Sequence, residues 1–251
     1  MSIALLGNFV VGVPANMWMF WLICHGTKEL LASDTYLLSL AFCEILYCLG
    51  LPAQLYCMYG FERAVDGLPF LLIVQMYLVW TGRPVFQSCI CVERYIAVVH
   101  PLTFIRLKPL KYAVTQCALA WCVVFLVFFL MLQRASVIGL LWFVPTFCIF
   151  LYCYFAVLFS LRRPGPGERQ AEERGRGDKM KRKAITIIFV NMLCFVVNYL
   201  PPLTIYYVMM LVTVPTIVYD VATSLGIVCG LVQPFLYLHR VGKLPCLERE
   251  H

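Results

Sequence analysis

Seven stretches of the chain run apolar for about the length a bilayer demands: approximately residues 3–24, 35–59, 68–98, 112–132, 136–161, 182–210 and 216–239. A helix needs about 20 mostly apolar residues to cross the hydrocarbon core. None of these stretches shows the alternation of polar and apolar positions, about ten residues long, that marks an outer-membrane barrel strand. Lipid offers the backbone no hydrogen bonds, so a spanning segment outside a closed barrel has to be helical. The pattern therefore predicts an all-α, membrane-embedded bundle of seven transmembrane helices, forming a single domain over residues 1–251.

The polar punctuation between the stretches sets the orientation. One set of connections carries Lys28, then Arg106, Lys108 and Lys111, then the run from Arg162 to Lys183, then Arg240 and Lys243. The opposite set carries Arg63 and Arg134. Basic residues collect on the cytoplasmic side, which puts the N-terminus outside. The hydrophilic segment at about 162–180 contains Pro164-Gly165-Pro166-Gly167 and reads as a flexible cytoplasmic loop, and residues 240–251 read as a short cytoplasmic tail. Between the fourth and fifth stretches, Gln133, Arg134, Ala135 and Ser136 are the whole turn, so no folded lid is expected there.

Composition agrees with the pattern: 62% of residues are apolar and 13% charged, against roughly 45–50% and about 25% in soluble domains. The net charge of +7 records the cytoplasmic bias and gives no reason to expect a nucleic-acid partner. The first apolar stretch, which lacks a small-residue cleavage site, is expected to act as its own signal anchor. Most of the thirteen cysteines lie inside apolar stretches as small hydrophobes. Cys57 alone lies near the outer surface, and Cys246 in the tail is a candidate for palmitoylation. No paired acids, metal-ligand cluster or nucleophile–base arrangement points to an enzyme, a metal or a cofactor.

Glu93-Arg94-Tyr95 closes the third stretch at its cytoplasmic end and leads to His100-Pro101. Asn16 lies in the first stretch, Leu40-Ala41-Phe42-Cys43-Glu44 in the second, Trp121 in the fourth and Pro145 in the fifth. The sixth holds Phe195-Val196-Val197-Asn198-Tyr199-Leu200-Pro201, and the seventh Gln233-Pro234-Phe235-Leu236-Tyr237. In this order the motifs resemble those of rhodopsin-like G-protein-coupled receptors. In style they look most like the branch for nucleotides, fatty acids and protease activation. The resemblance covers essentially the whole chain. It implies a multi-pass plasma-membrane protein whose partners are an extracellular ligand, membrane lipid and a heterotrimeric G protein. It also implies that span 6 swings outward and that the opened cavity admits the C-terminal helix of the G protein α subunit. Glu93, Arg94, Tyr95, Tyr199, Pro201, Pro234 and Tyr237 would carry coupling and activation. Pro201 and Pro202 leave the carbonyls of Val197 and Asn198 without helix donors, and Pro234 does the same to Gly230.

Two charges fall near mid-membrane. Arg83 stands about 16 Å from the inner end of span 3 and Glu44 about 15 Å from that of span 2, at 1.5 Å per residue. Such residues are functional candidates by default. The resemblance implies a sodium-binding acid at Glu44 and a small hydroxyl residue where Arg83 stands, so Arg83 is expected to occupy the sodium position and pair with Glu44. The stretch Leu68-Pro69-Phe70 holds no cysteine for the family's outer disulfide, which again argues for an architecture without a lid. An outer span 3 carrying Met76 and Tyr77, with no aspartate, argues against an amine ligand. The expected ligand pocket comprises Met76, Tyr77, Trp80, Trp142, Tyr199, Leu203, Tyr206 and Thr223. It is aromatic and nearly uncharged, which favours a small apolar or lipid-like ligand. A receptor-like protein that does not signal, and a polytopic transporter or membrane enzyme, are the competing readings.

Overall fold

A computed structural model describes residues 2–25, 32–58, 68–107, 109–133, 136–162, 186, 189–205, 208, 212 and 215–241. Helices run over α1 (Ser2–His25), α2 (Ala32–Met58), α3 (Leu68–Val99), α4 (Pro101–Leu107), α5 (Leu110–Leu132), α6 (Ser136–Arg162), α7 (Phe189–Ile205), α8 (Thr216–Gly230) and α9 (Val232–Val241). Each of the seven apolar stretches thus becomes helix where it is described, with α8 and α9 sharing the last. Segments within α1, α2, α5, α6 and α8–α9 are long and apolar enough to cross a membrane. α3 has 32 residues, ample length, with its charges placed at Arg83, Glu93 and Arg94. The expected loop and tail, with Cys246, fall almost wholly outside the described residues, as do Lys28, Arg63, Arg134 and Lys181.

α3 is the central post. It packs against α2, α5 and α6, while α1 packs against α2, α8 and α9. One core cluster joins Tyr36, Leu40 and Cys43 of α2 to Val85 and Phe86 of α3 and Ala120 and Val124 of α5. Trp121 lies over Phe86 with ring centres 5.0 Å apart, and its indole N–H donates to the Ser39 hydroxyl at 3.2 Å. A second cluster joins Phe143 and Phe150 of α6 to Phe195 and Tyr199 of α7. Phe150 stacks on Phe195 at 4.1 Å. The outward faces are apolar too: Leu126, Phe129, Phe159 and Val221 each leave more than half their surface uncovered. Water would penalise that exposure, whereas lipid tails cover it without cost.

Three details go beyond the sequence pattern or sharpen it. The short α4 follows His100, with Pro101 at its first position, where the missing N–H costs nothing. The seventh span breaks at Leu231, one turn ahead of Pro234, beside the carbonyl of Gly230 that this proline leaves without a donor. There the Leu231 N–H turns to the Val228 carbonyl at 3.1 Å. Between α5 and α6 only residues 133–135 intervene, as the short turn requires.

Freed backbone also shapes the α7–α8 contact. Pro202 removes the donor for the Asn198 carbonyl, and that oxygen faces Gly226 of α8, so close that a Cβ there would sit 3.3 Å from it and 2.9 Å from Asn198 Oδ1. Gly226→Ala should therefore push α8 off α7 and destabilise the protein by about 1–3 kcal/mol. Gly7, whose Cβ position meets nothing within 4 Å, provides the contrast. Gly7→Ala should be neutral or stabilise by about 0.5–1 kcal/mol. Thermal unfolding of the two purified variants checks this, and equal responses would contradict the packing account.

Candidate functional site

Residues four, four and three apart line one face of a helix, and on α3 this puts Leu72, Met76, Trp80 and Arg83 along a single stripe. The stripe forms one wall of a cavity of about 290 Å³ in the outer half of the bundle. Tyr47 and Gln54 of α2, Asn198, Tyr199 and Pro202 of α7, and Thr223 and Gly226 of α8 complete the lining. Gln75 also lines it and is held by its amide Nε2, which donates to the Tyr47 carbonyl at 2.7 Å. Its side chain reaches across α2 over the space a Cβ on Gly50 would need, so this crossing depends on glycine.

Arg83 forms the floor. It is 5% exposed and its guanidinium Nη2 donates to Oε2 of Glu44, itself 2% exposed. The guanidinium carbon lies 4.4 Å from the centre of the Tyr47 ring, a cation–π contact made by a buried cation. Tyr47 stands three residues after Glu44 and therefore on the same face of α2. Two polar atoms at this floor have no hydrogen-bond partner among the described residues: Arg83 Nε and the Tyr199 hydroxyl, the latter on a side chain 3% exposed. Trp80 closes over Tyr199 edge-to-face, with ring centres 6.4 Å apart.

At the inner end, Glu93, Arg94 and Tyr95 are all half-buried. The Tyr95 hydroxyl meets His100 Nε2 at 3.2 Å, tying the span 3 signature to the residue that precedes α4. Tyr95 also packs on Tyr152, ring centres 5.7 Å apart, while Cys153 is buried. Tyr237 of α9 packs against Met19, Ile23, Leu37 and Ala41, where α1 and α2 meet the foot of span 7.

The cavity brings together Met76, Trp80, Tyr199 and Thr223 from the expected ligand set. Two others lie elsewhere. Leu203 packs into the α6–α7 aromatic cluster. Trp142 is one residue, and so about 100° of helix, round from Phe143, and it turns to α3 and lines a separate cavity of about 340 Å³ with Val85, Ser88 and Phe104. The side chain of Tyr77, and Tyr206, lie outside the described residues. The cavity carries one charge and is more polar than the expected set. Arg83, Gln54, Gln75 and Asn198 all line it, because the stripe that carries Met76 and Trp80 carries Arg83 two turns below Met76. Helical spacing on α2 and α3 is the signal that marks Tyr47, Gln75 and Arg83 as lining residues.

The ion pair makes a direct prediction. Arg83→Leu or Glu44→Leu leaves one buried charge uncompensated and should cost roughly 3–5 kcal/mol. The double leucine variant should recover a good part of that loss. Surface expression and thermal stability of the three variants decide the matter, since equal damage in all of them would mean the charges do not act as a pair.

Residues 15–137 match the family described as 7 transmembrane receptor (rhodopsin family). The chain is 28% identical to purinoceptor 4 of Mus musculus, over 92% of this chain and 73% of that protein. It is 26% identical to G-protein coupled receptor 183 of Rattus norvegicus, over 74% of this chain and 60% of that protein. It is 32% identical to Proteinase-activated receptor 3 of Homo sapiens, over 47% of this chain and 32% of that protein.

Proposed function

The chain belongs to the rhodopsin family of seven-transmembrane, G-protein-coupled receptors, and we propose that it converts binding of a small, largely apolar or lipid-like ligand into activation of a heterotrimeric G protein. It is a multi-pass plasma-membrane protein and not an enzyme. The observation that carries the proposal is the layout of α3. One helix presents Met76, Trp80 and Arg83 to the outer cavity and ends in Glu93-Arg94-Tyr95 at the inner face. A ligand contacting the first group can bias the second only through elements that shift, and the proline-interrupted spans 6 and 7 supply them. In this reading Arg94 contacts the G protein, Pro201 and Pro234 mark the flexing points, and Tyr237 supports the active arrangement.

The ligand class follows from charge. One of the relatives above is by name a purinoceptor, which raises the case of a nucleotide. A nucleotide polyphosphate requires several cationic or N–H donors around its oxygens. Among the described residues lining the cavity, Arg83 is the only charged one, and Glu44 already engages it. Met76, Trp80, Leu72 and Ile73 instead offer apolar surface. In the same reading, Arg83 takes the place of the family's sodium ion, because the carboxylate that would ligate sodium already holds a guanidinium.

One observation favours a second reading, a receptor-like protein that does not signal: a fixed ion pair between α2 and α3 also stiffens the region that must rearrange. Ligand-independent G-protein activation in cells separates the two. Wild-type basal activity should fall at least about tenfold, which is about 1.4 kcal/mol, in Arg94→Ala at unchanged surface level. Surface-expressed protein that activates no G protein with or without Arg94 would establish the second reading.

A further inference from the structure

The cavity floor specifies the polar end of the ligand. Arg83 Nε and the Tyr199 hydroxyl are buried donors without partners among the described residues, both belong to side chains of residues at least 95% buried, and both side chains line the outer cavity. Burying such groups unsatisfied is costly, and both atoms are sealed by packing, so a small turn of the Arg83 and Tyr199 side chains toward the cavity lets an acceptor there relieve them. We propose that the ligand is an apolar chain or ring ending in an uncharged hydrogen-bond acceptor, a carbonyl of the amide, ester or ketone kind, which docks on Arg83 Nε and Tyr199 beneath Trp80. This rests on the outer cavity being the ligand site.

Charge neutrality excludes the alternatives at the head. Arg83 and Glu44 together carry no net charge and both are buried. A ligand carboxylate would turn the pair into a buried triad with one excess negative charge, or would displace Glu44 and strand it. An ammonium would face the guanidinium and meet like charge. A neutral carbonyl accepts from Nε–H and from the phenol O–H while leaving the Arg83–Glu44 contact intact. The rest of the molecule then lies along Trp80 and Met76, with the Gln75 amide pinned to Tyr47 at the side.

The test uses the full chain in lipid nanodiscs with octanamide, octanoate, octylammonium and adenosine triphosphate as probes, read as thermal stabilisation against concentration. Octanamide should stabilise the wild type at about tenfold lower concentration than octanoate or octylammonium, and adenosine triphosphate should not stabilise it. Tyr199→Phe keeps the ring packed against Phe143 and Phe195 and removes only the hydroxyl. It should abolish most of the preference for the amide. Met76→Trp, which fills the cavity, should weaken all the alkyl probes together. Equal or better stabilisation by octanoate, or an amide preference that survives Tyr199→Phe, overturns the head-group assignment. Stabilisation by adenosine triphosphate overturns it in favour of a nucleotide. An amide preference that survives Met76→Trp overturns the cavity as the site. If no probe stabilises the wild type the assignment falls, while Arg94-dependent basal activity would still uphold the receptor.

Discussion

Two opposite charges buried near mid-membrane dictate much of how this bundle fits together. Neither Arg83 nor Glu44 can reach an interface from about 15 Å inside the membrane, so each has to face the other across α2 and α3. That requirement fixes the rotation and depth of both helices at once. Leu40 and Cys43, beside Glu44, then meet Val85 and Phe86, beside Arg83, and α5 packs Val124 against them. Tyr47 is carried over the guanidinium by the same rotation. A slip of α3 by one residue would turn Arg83 by about 100° away from Glu44 and into the packed core, since residues 81–88 are all buried, an alternative far more expensive than any loss of apolar packing.

The pair also lies where the outer and inner halves meet. Above it is the cavity, of which Arg83 is the floor. Beside it is the break in span 7: a Cβ on Gly230 would stand 3.7 Å from Glu44 Oε2 and 3.9 Å from Arg83 Nη2. Below the break, Tyr237 packs on the inner ends of α1 and α2. Anything that displaces the guanidinium therefore presses on α2 and span 7 directly, with no long chain of intermediates. Span 6 joins by another route, since the Asn198 carbonyl abuts Gly226 on α8. In the proposed reading, coupling between the ends runs through these few contacts and the proline-bearing spans 6 and 7.

Much of this is legible in the sequence because lipid simplifies the problem. Length and apolarity alone locate the spans, and depth arithmetic together with the family resemblance points to the Arg83–Glu44 pair with no knowledge of packing. Rotation about each helix axis is harder. Trp142 and Phe143 are equally aromatic, and only the contact with α7 decides that Phe143 faces the aromatic cluster while Trp142 faces α3. Leu203 escapes a sequence reading for the same reason: in a span that is apolar all round, no polar face marks the inside. Where a polar residue does mark it, as Gln75 and Arg83 do on α3, the stripe can be read. The break at Leu231 requires combining Pro234 with the unpaired Gly230 carbonyl, and α4 leaves no apolar signature to find.

The short connection between α5 and α6 bears on what binds. Three residues, 133–135, join these helices, so this outer turn can offer a ligand at most the single charge of Arg134. In the proposed reading most of the affinity comes from the cavity walls. Burying roughly 250 Å² of apolar ligand surface yields about 6 kcal/mol at 25 cal/mol per Å². That corresponds to a dissociation constant of tens of micromolar before ordering costs, and one or two good hydrogen bonds at the floor add roughly 1–3 kcal/mol. An apolar ligand reaches useful affinity on those terms. In the proposed reading a polyphosphate fares worse, because it would have to shed its hydration against walls whose one cation among the described residues is already engaged by Glu44.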